Sequence, residues 1–291
     1  MKIFTPSVSQ RCIMISEGIL CNSEVSMHIL ESFLQGKENN PLTCEDGIFI
    51  SDSMVVVIDG ATSHGGRLWQ GHRSGYFAKE VLRKCLEKVS VGDILEKLDI
   101  ALHDAVVSAA GEELALSECP KASIILYNDV TKEIISYGDC QCRINGVNYS
   151  AEKRIDRLNG ELRAFVLEYE LLQGKAWEEL AESDPGRAAI LENLQKQCAF
   201  ENVAGPFGYA VLNGRGIEPS LIKRYKVAPG DEVILASDGY PVLGGDLEES
   251  EEYLQSRLKE DPLCFRELRS TKGVRPGNVS FDDIAFCRFI V

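Results

Sequence analysis

The chain carries five short acidic fragments, and each lies on or beside an apolar, strand-like run. Because Asp and Gly are depleted inside strands, an acidic residue followed by Gly after a Val/Ile run marks a strand end. Carboxylates gathered at such ends repel one another unless a cation lies between them. Mg²⁺ or Mn²⁺, which prefer oxygen ligands, are the favoured ions, so the pattern indicates a metal-dependent hydrolase. The fragments are CEDG (Glu45, Asp46), VVVIDGAT (Asp59, Gly60), ISYGDCQCR (Asp139), VILASDGYP (Asp238, Gly239) and SFDDIAF (Asp282, Asp283).

Each fragment taken alone also has a plainer interpretation as a turn. The pair Asp59-Gly60 is the most specific, because Gly allows its own carbonyl to approach an ion closely. In SFDDIAF we expect one carboxylate to face the site and the other to face solvent. Four unrelated turns are a poor explanation for CEDG, IDGAT, ASDGYP and SFDDIAF together, since these fragments lie on separate predicted strands.

Composition limits the classes of partner. The 291 residues carry a formal net charge of −14, which argues against a nucleic-acid surface or an anionic membrane as the main partner. The longest apolar runs, such as MVVVI and ASIILY, are too short to span a bilayer. The opening residues lack the apolar core of a secretory signal, so we expect a cytoplasmic protein.

The ten cysteines are scattered singly apart from Cys140 and Cys142. In a large chain of this kind we expect reduced thiols that pack as small apolar residues. One intervening residue in CQC does not fit a zinc knuckle or a redox pair, which need two.

Hydrophobic periodicity predicts an α+β protein with helices on both sides of packed sheets. We expect one domain over residues 1–291, with the helix-prone segment 152–200 forming a cap or flap over a site. The segment 205–216 is expected to add a strand and a turn. The predicted strands lie in 47–62, 122–146, 224–239 and 282–291, and the predicted helices in 71–89, 92–110, 152–200 and 247–261.

In this order the five motifs resemble the metal-dependent protein phosphatases of the type 2C (PPM) family, over essentially the whole chain. The resemblance implies an αββα four-layer sandwich of two mainly antiparallel sheets, with two Mn²⁺ or Mg²⁺ ions at one end. It implies that Asp59 bridges both ions and that the Gly60 carbonyl is a further ligand. Asp238 and Asp282 would complete the second ion.

The resemblance also assigns outer roles. Glu45 and Asp46 would hold metal-bound waters, and Asp139 with Asp238 matches the site of a loosely bound third ion in some bacterial members. Two cations about 4 Å apart lower the pKa of a bridging water, which can then attack phosphorus in line. No Ser or Cys nucleophile is needed, and no CxxxxxR loop is present.

Two departures from the family pattern concern the catalytic acid and the phosphate clamp. Animal-type members carry a His after the Asp-Gly pair, where this chain has Ala61, so His64 is the candidate general acid and His72 an alternative. The family's Arg before the acidic pair is also missing, and Asp283 replaces an Asn. The remaining candidates to bind phosphate are Lys37, Arg67, Arg73 and Lys272.

The resulting expectation is a hydrolase of phosphoserine or phosphothreonine in proteins. Two alternatives stay open: a non-catalytic phosphatase-like module that binds a phosphorylated partner, and a phosphatase of a small metabolite. The departures favour the first alternative, whereas the complete set of acidic residues argues against it.

Overall fold

Two five-stranded antiparallel sheets face each other in the computed structural model, which describes residues 27–63, 65–89, 92–112 and 114–291. The first sheet has the spatial order β1 (His28–Gln35), β10 (Ile284–Ile290), β9 (Glu232–Ala236), β6 (Gln141–Ile144) and β7 (Val147–Tyr149). The second has the order β2 (Asp46–Ser51), β3 (Met54–Ala61), β4 (Lys121–Asn128), β5 (Glu133–Tyr137) and β8 (Lys223–Lys226). Every pair of neighbouring strands runs antiparallel.

Helices cover the outer face of each sheet. The described helices are α1 (Ser74–Leu86), α2 (Ile94–Ala110), α3 (Arg154–Leu172), α4 (Trp177–Glu182), α5 (Pro185–Lys196) and α6 (Leu247–Glu260), with short 3₁₀ turns at Gln197–Phe200 and Pro219–Leu221. Helices α1 and α2 share a core with the second sheet, and α6 shares one with the first. The predicted α+β, four-layer αββα architecture is therefore confirmed.

Strand β3 is covered by apolar side chains on both of its faces. Side chains alternate between the faces of a strand, so Val55 and Val57 enter the core between the sheets, while Val56 and Ile58 face α1 and α2. All four are fully buried. A strand covered on both faces reads as a continuous apolar run, which is the pattern of MVVVI.

The cysteines follow the packing prediction. All eight that lie in the described part of the chain are free, and Cys142 and Cys287 belong to the core between the sheets. Cys12 and Cys21 lie outside the described residues.

The local structure differs from the predictions in three places. Strands β1 and β7 were not predicted: β1 is half exposed and pairs with the distant β10, and the three residues of β7 are exposed, so neither shows the continuous apolar run of a buried strand. The strand expected in 205–216 is wrong: the chain there makes only single bridges, Ala122 with Leu212 and Glu201 with Tyr209.

In the described part of the chain, no helix has the length and apolar character needed to cross a membrane.

Candidate metal centre

The acidic fragments converge at one end of the sandwich. Asp46 and Asp59 are direct partners across the β2–β3 ladder, and Asp59 also pairs with Ser123 of β4. The Ser123 hydroxyl donates a hydrogen bond to Asp139, in the turn before β6. From the first sheet, Asp238 follows β9, and Asp282 and Asp283 precede β10. The structure thus brings together carboxylates from both sheets.

Asp59 lies at the centre of this negative charge. Burial raises the pKa of Asp59 well above its usual range, and the charges of Asp238 and Asp46 add to that increase. Within the described residues, the Asp59 carboxylate has no hydrogen-bond or ion-pair partner. A carboxylate so placed is stabilised by a cation that comes from outside the chain.

Asp46 is buried and only partly satisfied. Its Oδ2 atom has no hydrogen-bond partner among the described residues, and Asp46 is 2% exposed. Burial and the neighbouring Asp283 raise its pKa, while a hydrogen bond from Ser237 opposes the increase. A buried carboxylate oxygen without a hydrogen-bond partner lowers the stability of the folded protein, and a cation bound beside it would offset that loss.

Asp238 is exposed to solvent, yet it lies close to other carboxylates. Desolvation by the surrounding protein, together with the charges of Asp139 and Asp282, raises its pKa to about 7. The nearby ammonium groups of Lys272 and Lys153 act in the opposite direction but do not cancel the increase.

Lysines neutralise the other part of the acidic cluster. The Lys37 ammonium lies 3.2 Å from Asp282 Oδ1, 3.1 Å from Asp283 Oδ2 and 3.7 Å from Glu45 Oε2. Lys272 forms an ion pair with the other oxygen, Oδ2, of Asp282. Burial opposes ionisation of Asp282, but Lys272 and Lys37 together lower its pKa to about 2.

Asp282 and Asp283 share this environment. Asp283 is 3% exposed and accepts hydrogen bonds from the backbone N–H groups of Lys37 (2.7 Å) and Glu45 (3.1 Å). The expectation that one of the two carboxylates faces solvent is therefore wrong, because loop β1–β2 covers them both.

Glu45 connects the cluster to the start of α1. Its Oε1 accepts a hydrogen bond from the Gly75 backbone N–H (3.1 Å), and its Oε2 accepts one from the Thr62 hydroxyl. Burial raises its pKa, which the charge of Lys37 opposes.

The glycines of the two Asp-Gly pairs are required by close packing. A Cβ atom on Gly239 would lie 2.1 Å from the Asp283 carbonyl oxygen, so the turn after β9 touches the start of β10 directly. A Cβ on Gly60 would lie 2.6 Å from the Glu45 carbonyl oxygen. These two close backbone contacts are sufficient to explain why glycine is needed at both positions, whether or not an ion is bound.

Two of the predicted phosphate ligands, Lys37 and Lys272, lie within the cluster. Arg73 lies at the edge of the cluster, 2.5 Å from Glu38. The hydrogen bond with Glu38 raises the pKa of Arg73, and the charges of Glu45 and Asp283 add to the increase. Arg67 instead contacts the end of α2, 3.7 Å from Glu112 Oε1. His64 falls outside the described residues, while the ring of His72 stacks on Tyr76 at 4.2 Å.

Lys153 is a member of the site that no sequence motif revealed, and its ammonium lies 2.5 Å from Asp139 Oδ2. Burial opposes ionisation of Asp139, but Lys153 and the Ser123 hydroxyl lower its pKa. Nothing in the local sequence SAEKR signals this role, because Lys153 reaches Asp139 only through the return of the chain after β7.

The helical segment 154–196 holds the loop that carries Lys272. The fully buried Arg163 donates to the backbone carbonyls of Leu263 (2.7 Å), Cys264 (3.1 Å) and Ser270 (2.9 Å). Arg187 donates to the Thr271 carbonyl at 2.9 Å. The segment therefore fixes the backbone next to Lys272.

The donor set fits a hydrated divalent cation better than a closed protein cage. In the described ranges, no group of three or more His, Cys, Asp or Glu side chains is placed to hold a metal ion. Mg²⁺ keeps several waters and needs only one or two carboxylates, and Asp59, Asp238 and Asp46 Oδ2 offer these without a competing lysine contact. The residues present are thus compatible with such an ion.

No protein-family model matches the chain, and no curated protein sequence matches it. The chain is similar to several solved structures. Stp1, a serine/threonine phosphatase from Staphylococcus aureus, is 14% identical, with 96% of this chain and 99% of that chain covered and a TM-score of 0.46. The catalytic domain of the serine/threonine protein phosphatase PstP, in complex with two manganese ions, is 16% identical over 91% of this chain and 98% of that chain, with a TM-score of 0.45.

A third structure, the PPM Ser-Thr phosphatase MsPP from Mycobacterium smegmatis in complex with cacodylate, is 14% identical over 91% of this chain and 99% of that chain, with a TM-score of 0.42. At such identities and TM-scores, the likeness does not by itself define an activity for this chain. All three are serine/threonine phosphatases by name, and each match covers more than nine tenths of this chain.

Proposed function

We propose that this protein is a Mn²⁺- or Mg²⁺-dependent phosphomonoester hydrolase that acts on phosphoserine or phosphothreonine in proteins. The observation that carries the proposal is the convergence of Asp59, Asp238 and Asp46 at one end of the sandwich. Desolvation and the charges of neighbouring carboxylates raise the pKa of each of the three. We further propose that the chain forms one domain and works in the cytoplasm.

The ions are held by Asp59, the Gly60 carbonyl, Asp238 and Asp282, with Asp46 and Glu45 orienting the waters around them. Divalent cations held there supply positive charge that lowers the pKa of a bound water and stabilises phosphoryl oxygens. Asp282 differs from Asp59, because Lys37 and Lys272 already contact its two oxygens. Its share of ion binding is therefore the weaker one.

Lys37 and Lys272 orient the phosphate group. They are the cations nearest the cluster on loops β1–β2 and 261–283, and each keeps part of its side chain exposed, 16% and 35%. A phosphate dianion beside them gains charge-assisted hydrogen bonds. Arg73 at the edge adds positive charge to the approach, and His64 donates the proton to the leaving alcohol.

A second candidate function is a non-catalytic module that binds a phosphorylated partner. The observation in its favour is that lysines, fixed within the chain, already neutralise Asp139, Asp282 and Asp283. Such a module recognises phosphate through Lys37 and Lys272 and needs no ion at Asp59.

Phosphate release separates the candidates. Purified protein is incubated with a phosphothreonine peptide, with p-nitrophenyl phosphate and with a small sugar phosphate, each with excess Mn²⁺ or with EDTA. The proposal predicts Mn²⁺-dependent release that is fastest from the peptide. Release only from the sugar phosphate would assign a metabolite substrate, and peptide binding without release from any substrate would favour the binding module.

A further inference from the structure

Both oxygens of Asp139 are already occupied by groups of the protein. The Lys153 ammonium lies 2.5 Å from Oδ2, and the Ser123 hydroxyl donates to Oδ1. The Lys153 side chain is 15% exposed and the Asp139 side chain is 12% exposed, so the contact is shielded from water. This arrangement contrasts with Asp59, whose carboxylate has no such partner in the described part of the chain.

The surroundings hold Lys153 in place. Its ammonium lies over the ring of Tyr209, 5.2 Å from the ring centroid. The Tyr209 hydroxyl donates to Glu201 at 3.3 Å, and Glu201 is in turn paired with Lys121. The ring is thereby fixed, and the ammonium gains a cation–π contact in addition to its pairing with Asp139.

The backbone of Lys153 is equally constrained, because the residue is the N-cap of α3, in extended conformation. Helix α3 is anchored by Arg163, which binds three carbonyls of the 263–270 loop. The backbone position from which the Lys153 side chain reaches Asp139 is therefore fixed.

We propose that Lys153 is a fixed cation, built into the chain, which occupies the place of a metal ion at Asp139. Asp139 accordingly takes no divalent ion, and the protein binds ions only at the centre formed by Asp59, Asp238 and, more weakly, Asp282. The inference rests on the metal centre of the proposed function and specifies it further.

A count of bound Mn²⁺ tests the inference without an activity readout. Free Mn²⁺ is measured by electron paramagnetic resonance during titration of the whole protein, for wild type, Lys153→Met and Asp139→Asn. Lys175→Met is the matched control, since Lys175 pairs with Glu170 (2.7 Å) on the surface of the same helical segment. Circular dichroism verifies that each variant is folded.

The expected results are as follows. Lys153→Met binds one Mn²⁺ more per chain than wild type, because Asp139 is left with a free oxygen, whereas Lys175→Met binds the wild-type number. A double variant that combines Lys153→Met with Asp139→Asn returns to the wild-type number. Asp139→Asn alone leaves the number unchanged, and this result tests the inference even if Lys153→Met does not fold.

Two results would overturn the inference: the loss of one bound ion in Asp139→Asn, or an unchanged count in folded Lys153→Met. Failure of the proposed function looks different, because wild type then binds no Mn²⁺ at all. In that case a single ion gained by Lys153→Met still supports the role of Lys153, and none gained contradicts it.

Discussion

Gly60 at the end of β3 and Gly75 at the start of α1 face each other with no room for a side chain between them. A Cβ atom on Gly60 would lie 2.4 Å from the Gly75 carbonyl oxygen, and one on Gly75 would lie 2.5 Å from the Gly60 carbonyl oxygen. Glu45 spans the same contact, since its backbone carbonyl accepts from Gly60 N–H (3.2 Å) and its side chain accepts from Gly75 N–H. The position of Asp59 thus depends on this backbone contact.

Gly60→Ala is expected to lower the free energy of unfolding by about 3 kcal/mol, because the new methyl group meets backbone atoms that cannot rotate away. The measurement is urea denaturation in EDTA. The control is Gly47→Ala in the same hairpin, where a Cβ would meet side-chain atoms of Lys79 at 2.9 Å and no backbone atom, so that a smaller loss is expected. Equal losses in the two variants would contradict the proposed role of the Gly60–Gly75 contact.

Mn²⁺ is expected to raise the melting temperature of wild type and to leave that of Asp59→Asn nearly unchanged. A ligand that binds only the folded protein stabilises it by about 2.7 kcal/mol at one hundred times its dissociation constant. The control is Asp52→Asn, which removes an exposed carboxylate from the turn of the same hairpin and is expected to keep the full shift. An undiminished shift in Asp59→Asn would place the ions elsewhere.

Asp238 gives the metal-free protein a specific pH dependence. Its pKa is raised to about 7 in the folded protein, so between about pH 4 and pH 7 the folded state binds more protons than the unfolded state. Stability contributed by this group therefore falls as pH rises through that window. In EDTA, Asp238→Asn is expected to match wild type near pH 4.5 and to become the more stable protein near pH 7.5.

Differential scanning fluorimetry at both pH values measures this difference and cancels the general charge effects that the two proteins share. A constant difference across the window would mean that Asp238 titrates at its ordinary pKa.

Lys37 is expected to be structural as well as phosphate-binding. Lys37→Met leaves Asp282 and Asp283 without their shared cation, and removal of one partner from a buried ion pair costs about 3 kcal/mol or more. Lys226→Met is the control, since Lys226 is 83% exposed in its pair with Glu133 and its loss is expected to cost less than about 1 kcal/mol. Added Mn²⁺ is expected to recover part of the stability lost in Lys37→Met. Urea denaturation measures the loss of unfolding free energy in each variant. Equal losses would show that Lys37 does not stabilise the buried carboxylates of Asp282 and Asp283.

The fold was largely predictable because its signals are local. The run MVVVI predicts a strand that is buried on both faces. The spacing of apolar residues in α1, α2 and α6 predicts helices with one buried side. The acidic fragments end predicted strands, and antiparallel pairing is enough to bring Asp46 and Asp59 together. These inferences need only the periods of strands and helices.

The lysine contacts could not be predicted in the same way. Lys153 meets Asp139 through the packing of α3 against distant loops, and Lys37 meets Asp283 across 246 residues of sequence. Strand β1 was missed for a similar reason, since it is recognisable only through its pairing with β10. The sequence motifs therefore predict where the carboxylates lie, but only the tertiary structure shows which of them are paired with a lysine.

The proposed role of Asp59 and Asp238 is to hold ions that support phosphate release. The most direct test compares initial rates of phosphate release from a phosphothreonine peptide for wild type, Asp59→Asn, Asp238→Asn and the control Asp52→Asn, each with Mn²⁺ and with EDTA. We predict Mn²⁺-dependent release by wild type and Asp52→Asn, and at least a hundredfold lower rate in both site variants, a loss of about 2.7 kcal/mol of transition-state stabilisation. Full activity in Asp59→Asn, or wild-type release that persists in EDTA, would contradict the claim.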